Sequence, residues 1–125
     1  MEGKGTAKAG SGAFNLPVTF PSRIGEPAGK TSPEELMAAA HAACYCMALS
    51  NALTQNGTPP QSLEASASVT FTPGTGITGS HLNVSAVVPG IDEEDFDRIA
   101  EEAKAGCPVS KALAGIEITL EASLA

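Results

Sequence analysis

The stretch TSPEELMAAAHAACYCMALSNALTQNG, residues 31–57, decides the fold. Ser32 stands where an N-cap is expected, Pro33 suits the first helical position, and Glu35 is placed to close a capping box. From Leu36 to Leu49 only His41 is conventionally polar, and Gln55-Asn56-Gly57 supplies a stop, giving a helix of about 36 Å at ~1.5 Å per residue. A helix apolar all round is expected to be buried all round. The rest of the chain must therefore be built to cover it.

Working outward, apolar residues fall on alternate positions around Phe14-Asn15-Leu16-Pro17-Val18-Thr19-Phe20, a half-buried strand whose Pro17 and Pro21 suit a sheet edge. Residues 23–30 are rich in Gly and Pro and read as a loop. Beyond the helix, Leu63, Ala65, Ala67, Val69 and Phe71 alternate with polar residues, and so do Leu82, Val84, Ala86 and Val88 after a Gly-rich connection, which predicts two antiparallel strands. Asp92-Glu93-Glu94-Asp95 opens a second helix with acid at its positive end; Phe96, Ile99, Ala100 and Ala103 line one face, and Lys104 with Gly106 closes it. A short helix over 108–113 and a final strand carrying Ile116, Ile118, Leu120, Ala122 and Leu124 complete an α+β pattern. It contains no internal repeat and is read as one domain over residues 1–125.

With 14 acidic against 7 basic residues, a net charge of −7 repels phosphate backbones and anionic lipid surfaces, so neither nucleic acid nor a membrane is an expected partner. No run of 18 or more apolar residues occurs, and the opening residues lack the apolar segment of a secretion signal, so a cytoplasmic protein is expected. Three cysteines in such a chain argue against a structural disulfide framework and leave redox pairing open.

The chemistry centres on Cys44 and Cys107, in unlike settings. Cys107, in Ala105-Gly106-Cys107-Pro108, lies at the candidate N-cap of a short helix, where free N–H groups favour a thiolate, although a small residue capping a turn is the plainer reading. Cys44 lies among alanines, where a thiol is often mere packing and where burial raises its pKa, so it needs a cation nearby. Arg23 is the economical candidate, held by Glu34 or Glu35. Ten residues separate Glu34 from Cys44, about 15 Å along a straight helix, so one chain cannot join them. Two copies of the helix packed antiparallel across a two-fold axis would, which predicts a shared site at a dimer interface.

His41 precedes Cys44 by one helical turn and is either a base or a core histidine. A metal held by His41, Cys44 and Cys46 is disfavoured because Cys46 points about 200° away from Cys44. Cys46 reads as packing or a spare thiol; Tyr45, Met47 and Phe71 read as core, and His81 as surface.

Taken together, Thr31-Ser32-Pro33-Glu34-Glu35-Leu36, Ala39-Ala40-His41-Ala42-Ala43-Cys44, Met47-Ala48-Leu49-Ser50, Val88-Pro89-Gly90-Ile91-Asp92 and Lys104-Ala105-Gly106-Cys107-Pro108-Val109-Ser110 resemble the OsmC/Ohr family of thiol peroxidases, its OsmC branch more than its Ohr branch. The resemblance implies an intertwined homodimer in which long central helices are enclosed by curved antiparallel sheets. It also implies reduction of organic hydroperoxides, and less efficiently of hydrogen peroxide. By motif position it makes Cys44 the peroxidatic cysteine, Cys107 the resolving one, Arg23 the stabiliser of the thiolate and Glu34 the carboxylate holding Arg23. Cys44 would pass through a sulfenic acid to an intramolecular disulfide with Cys107, reopened by a dihydrolipoyl protein or another dithiol. No metal, flavin or haem cofactor is implied. Two departures stand out: an N-terminal edge strand is expected to be missing, and Cys46 replaces a common Ser. A non-catalytic acidic dimeric binding or stress-interaction protein on the same fold is the competing reading.

Overall fold

In the computed structural model, which describes residues 3–25 and 29–125, the long helix α2 runs Pro33–Gln55. Ser32 adopts an extended conformation and its hydroxyl accepts from the Glu35 N–H, as an N-cap should. The capping box is only half closed. The Glu35 carboxylate takes the Thr31 hydroxyl at 2.7 Å instead of reaching back to the Ser32 N–H.

One face of α2 is buried: Ala38, His41, Tyr45, Leu49 and Leu53 follow the 3–4 spacing of a helical stripe, with Glu34 buried at its start. The expectation of burial all round does not hold within one chain. Ala39, Ala40 and Ala43 are exposed and Met47 is 74% exposed, so Met47 is no core residue. A single sheet has one inner face to offer, and it covers one side of the helix. By length and a mean hydropathy of 1.3, α2 is long and apolar enough to cross a membrane, yet a third of that window is buried inside this fold.

The covering sheet has the order β3 (Ser62–Thr72), β4 (Gly76–Val87), β5 (Glu117–Leu124). β3 and β4 are antiparallel, as expected, joined by a tight turn in which Gly74 and Gly76 take φ of +82° and +113°, values that a side chain would strain. β5 joins β4 in parallel, so the sheet is mixed. The cause is the crossover between them, which carries α3 (Glu93–Gly106) and α4 (Pro108–Ala112) back to the start of β4 before β5 begins. Leu82, Val84 and Ala86 of β4 meet Tyr45, Leu49 and Leu53 of α2 and Phe96, Ile99 and Ala100 of α3 in one apolar cluster.

The amino-terminal part forms a separate hairpin of β1 (Lys4–Lys8) and β2 (Asn15–Thr19). β2 matches the alternating pattern. β1, KGTAK, carries too little β-forming character to be legible alone and exists by pairing with β2. Part of the expected loop over 23–30 is instead helical: Arg23 lies in the short α1 (Pro21–Ile24), while residues 26–28 of that loop, like residues 1–2, lie outside the described residues.

Ser32→Ala, which strips the acceptor from the first turn of α2, is expected to lower unfolding free energy by about 1 kcal/mol in urea titrations at fixed protein concentration.

Candidate active site

Cys107 is the single residue between two helices. Its N–H donates to the Ala103 carbonyl at 2.9 Å and so ends α3, and the next residue, Pro108, has no N–H to give and starts α4. This joint is pressed onto α2, and Cys107 is fully buried there. Cys44, on the half-buried flank of α2, packs against the core cluster that contains Cys107, and each thiol influences the ionisation of the other. Both cysteines are free thiols.

The two sulfurs are electrostatically unequal. Burial pushes Cys44 up, and the contact with Cys107 pushes it further; the Val109 N–H opposes this without reversing it. Burial is also the largest single influence on Cys107 and acts upward. It is outweighed by the Ser110 N–H, the Cys44 thiol, the Ser110 hydroxyl and the Val109 N–H, which together hold Cys107 below its ordinary value. Cys107 makes no short side-chain capping bond to α4, so the effect comes from several modest donors. Within one chain Cys107 is therefore the more readily ionised of the two thiols.

Arg23 and Glu34 form a second pair. Arg23 Nε donates to Glu34 Oε1 at 2.8 Å, and of the two carboxylates at the head of α2 it is Glu34 that makes the contact. The guanidinium also lies 4.7 Å from the Phe71 ring centroid and 5.9 Å from that of Phe20. A register shift between Thr70 and Phe71 turns that end of β3, delivering the Phe71 ring beneath the arginine. Glu34 is 5% exposed, and its Oε2 has no partner among the described residues. Arg23 borders a cleft of about 610 Å³ with Thr19, Phe20, Pro33 and Leu36. Neither Arg23 nor Glu34 figures among the groups that act on Cys44. The chain thus assembles two pairs, Cys44 with Cys107 and Arg23 with Glu34, and leaves them apart.

His41 is a core histidine. Nδ1 lies 2.7 Å from Ser80 Oγ and Nε2 lies 2.8 Å from Ser110 Oγ, so both ring nitrogens are occupied, and burial lowers its pKa. Tyr45, next to Cys44, donates its hydroxyl to the Ala100 carbonyl at 3.1 Å. Cys46 lines an apolar cleft of about 700 Å³ with Ala39, Ala42, Ala43, Leu63 and Ala65. His81, on the outer face of the sheet, bonds Thr119 at 2.6 Å. Sequence reasoning read Phe71 as core, where it is instead half-buried beneath Arg23, and missed Ser80 and Ser110. Only Ser110 carried a signal, standing three residues beyond Cys107 at the start of a helix.

Residues 25–121 match the family model described as OsmC-like protein. The chain is 46% identical over 126 residues to Peroxiredoxin OsmC of Escherichia coli (strain K12), covering 98% of this chain and 87% of that one. It is 29% identical over 120 residues to the organic hydroperoxide resistance protein of Xanthomonas axonopodis pv. citri (strain 306), covering 94% and 84%. Among solved structures, an organic hydroperoxide resistance protein from Elizabethkingia anophelis superposes with a TM-score of 0.75 at 25% identity, covering 98% of this chain and 95% of that chain.

Because burial depresses His41, the unfolded chain takes up its proton near pH 6.5 while the folded chain resists it. The stabilisation is complete above that pH and is lost as pH falls toward the folded value. Urea midpoints measured from about pH 7.5 down to about pH 5.5 are expected to fall, and to fall less in His41→Gln.

Proposed function

The chain belongs to the OsmC family and is a cysteine-based hydroperoxide reductase, and on that premise we propose that Cys44 is its peroxidatic cysteine, Cys107 its resolving cysteine, and organic hydroperoxides its preferred substrates. The observation that carries this reading is the packing of Cys44 against the core cluster that holds Cys107, in a chain whose described cysteines are all free. The Cys44 thiolate attacks the terminal oxygen of the peroxide, the O–O bond breaks, and the alkoxide leaves as the alcohol after taking a proton. Cys44 is left as a sulfenic acid. The Cys107 thiolate then attacks the Cys44 sulfur, forming the disulfide and releasing hydroxide, which is protonated to water. A dithiol, for which a dihydrolipoyl protein is the expected source, is oxidised as it restores both thiols.

Cys44 is the member of the pair whose pKa is raised, so attack on peroxide needs positive charge from outside the chain's own Cys44 environment. The exposed stripe Ala39, Ala40, Ala43 and Met47 is a surface of small and apolar residues on which a second copy of α2 can lie antiparallel. In that arrangement the Arg23–Glu34 pair of each copy faces Cys44 of the other, and Arg23, locked by Glu34 and by the Phe71 ring, lowers the pKa of the thiol it meets. The working unit is thus a cytoplasmic homodimer of single-domain chains.

Reduced protein treated with one equivalent of cumene hydroperoxide is expected to lose two hydrogens through a Cys44–Cys107 link, read by intact mass and peptide mapping. Cys107→Ser should instead accumulate sulfenic acid on Cys44. Absence of any oxidation at matched peroxide would overturn the assignment of both cysteines.

Arg23→Ala is expected to slow Cys44 oxidation by about tenfold or more while sedimentation still shows a dimer. A fully active monomer in the ultracentrifuge rules out the shared site, and unchanged oxidation rates remove Arg23 from it.

A further inference from the structure

Phe71 ends the half-buried row Leu63, Ala65, Ala67, Val69 and Phe71 on β3. The first three of these side chains pack against the apolar core, but Phe71 does not; its ring lies 4.7 Å from the Arg23 guanidinium instead. The register shift between Thr70 and Phe71 and the 3.0 Å bond between the Thr72 and Thr78 hydroxyls shape that end of the β3–β4 ribbon. A large aromatic side chain left out of the core and spent on a cation has its use at the cation.

Hydrogen bonding holds Arg23 at one point. Nε donates to Glu34 Oε1 at 2.8 Å, and among the described residues neither terminal nitrogen of the guanidinium has a hydrogen-bond partner. A single bond at Nε is a pivot about which the group can turn, sweeping its terminal N–H groups through an arc. A second carboxylate on the fork would stop that rotation, but it would also consume the donors. A flat ring against the guanidinium stops it and consumes none, because the attraction is to the negative face of the ring.

We propose that Phe71 is a positioning residue for Arg23: its ring fixes the plane of the guanidinium while Glu34 holds the Nε edge, so the terminal N–H groups stay free and aimed for the Cys44 sulfur that they meet. This deepens the proposed mechanism and rests on Arg23 acting on the peroxidatic thiol. Loss of the ring leaves the charge in the site but lets it turn, whereas loss of Arg23 removes the charge itself. The other neighbours do not substitute for the ring. Phe20 is farther, at 5.9 Å, and 39% exposed; Glu35 is engaged by the Thr31 hydroxyl; and Lys4 of β1, which lines the same cleft, carries like charge.

The test uses the full chain. In Cys46→Ser protein, the rate of Cys44 oxidation by cumene hydroperoxide is read by rapid quench and intact mass with Phe71 changed to Leu, to Trp, and to difluoro and trifluoro ring analogues of phenylalanine, which keep the ring and weaken its negative face. Phe71→Leu is expected to slow oxidation about 5–10-fold, Phe71→Trp to keep most of the rate, and the fluorinated series to slow in order of fluorine count. In Arg23→Ala protein the same changes are expected to add nothing. With Cys46→Ser and Cys107→Ser in place, alkylation of Cys44 by iodoacetamide against pH reads the thiol itself, and Phe71→Leu should move that profile to higher pH. A fluorinated series with flat rates overturns the proposal, as does a Phe71→Leu effect that persists in full without Arg23. The fluorinated series alone carries the test if Phe71→Leu does not fold. An alkylation profile that follows the ring, in a protein whose peroxide oxidation is indifferent to Arg23→Ala, supports the hold on Arg23 and overturns the peroxidatic role of Cys44. Slowing by Arg23→Ala with a flat fluorinated series overturns the hold alone, so the two readings fail separately.

Discussion

Everything in the site depends on how one short segment of α2 is seated against the joint between α3 and α4. Within five consecutive residues His41 reaches Ser110, Cys44 packs against the cluster that holds Cys107 and the Tyr45 hydroxyl reaches the Ala100 carbonyl. Two of these contacts satisfy polar atoms that have no access to water, and an unsatisfied buried group costs about 1–3 kcal/mol, so the joint cannot slide along the helix without breaking them together. The placing of Cys44 beside Cys107 is then a consequence of a polar lock on either side of it, set in a core of Leu49, Leu82, Phe96 and Ile99. Redox chemistry here is positioned by groups that take no part in it.

The outline of the fold was legible because it was written in period. The cap, proline and stop of α2, the alternation of β3 and β4, and the apolar face of α3 each declare themselves within ten or so residues. What was not legible depended on partners distant in sequence. β1 exists through pairing; the parallel course of β5 follows from the crossover; and the one-sided burial of α2 follows from the number of layers a single chain can build. The site divides the same way. Arg23, held by Glu34 or Glu35, was found by asking what a thiol among alanines lacks; the family resemblance pointed to Glu34, and it is Glu34 that makes the contact. Phe71 read as core, and its place beside the arginine was invisible because a register shift, which no periodicity announces, falls where its ring meets Arg23. Ser80 was hidden too, since β4 reads equally well with any small residue there.

The electrostatic design separates two tasks between two places. Near Cys107 the donors are neutral, numerous and fixed: backbone N–H groups, a serine and a thiol. Near the head of α2 the donor is one permanent cation, pinned by a buried carboxylate and an aromatic face, with a carboxylate oxygen left unpartnered among the described residues. Neutral dipoles ease the ionisation of a buried thiol without adding charge to it. A guanidinium is better suited to answering a charge that develops during reaction, because it cannot be titrated away and presents several hydrogens in one plane.

The joint at Cys107 also ties chemistry to chain entropy. All of β3, β4 and α3 lies between Cys44 and Cys107, so the disulfide proposed for the catalytic cycle closes a very large ring. Closing a loop of that size removes disorder from the unfolded chain, and the stabilisation is on the order of 4 kcal/mol in the chain-entropy view. Each turnover would therefore move the polypeptide between a looser and a tethered ensemble. When reducing equivalents run short, the form that accumulates is the one most resistant to heat and proteolysis, so the enzyme is most durable while it waits to be recharged.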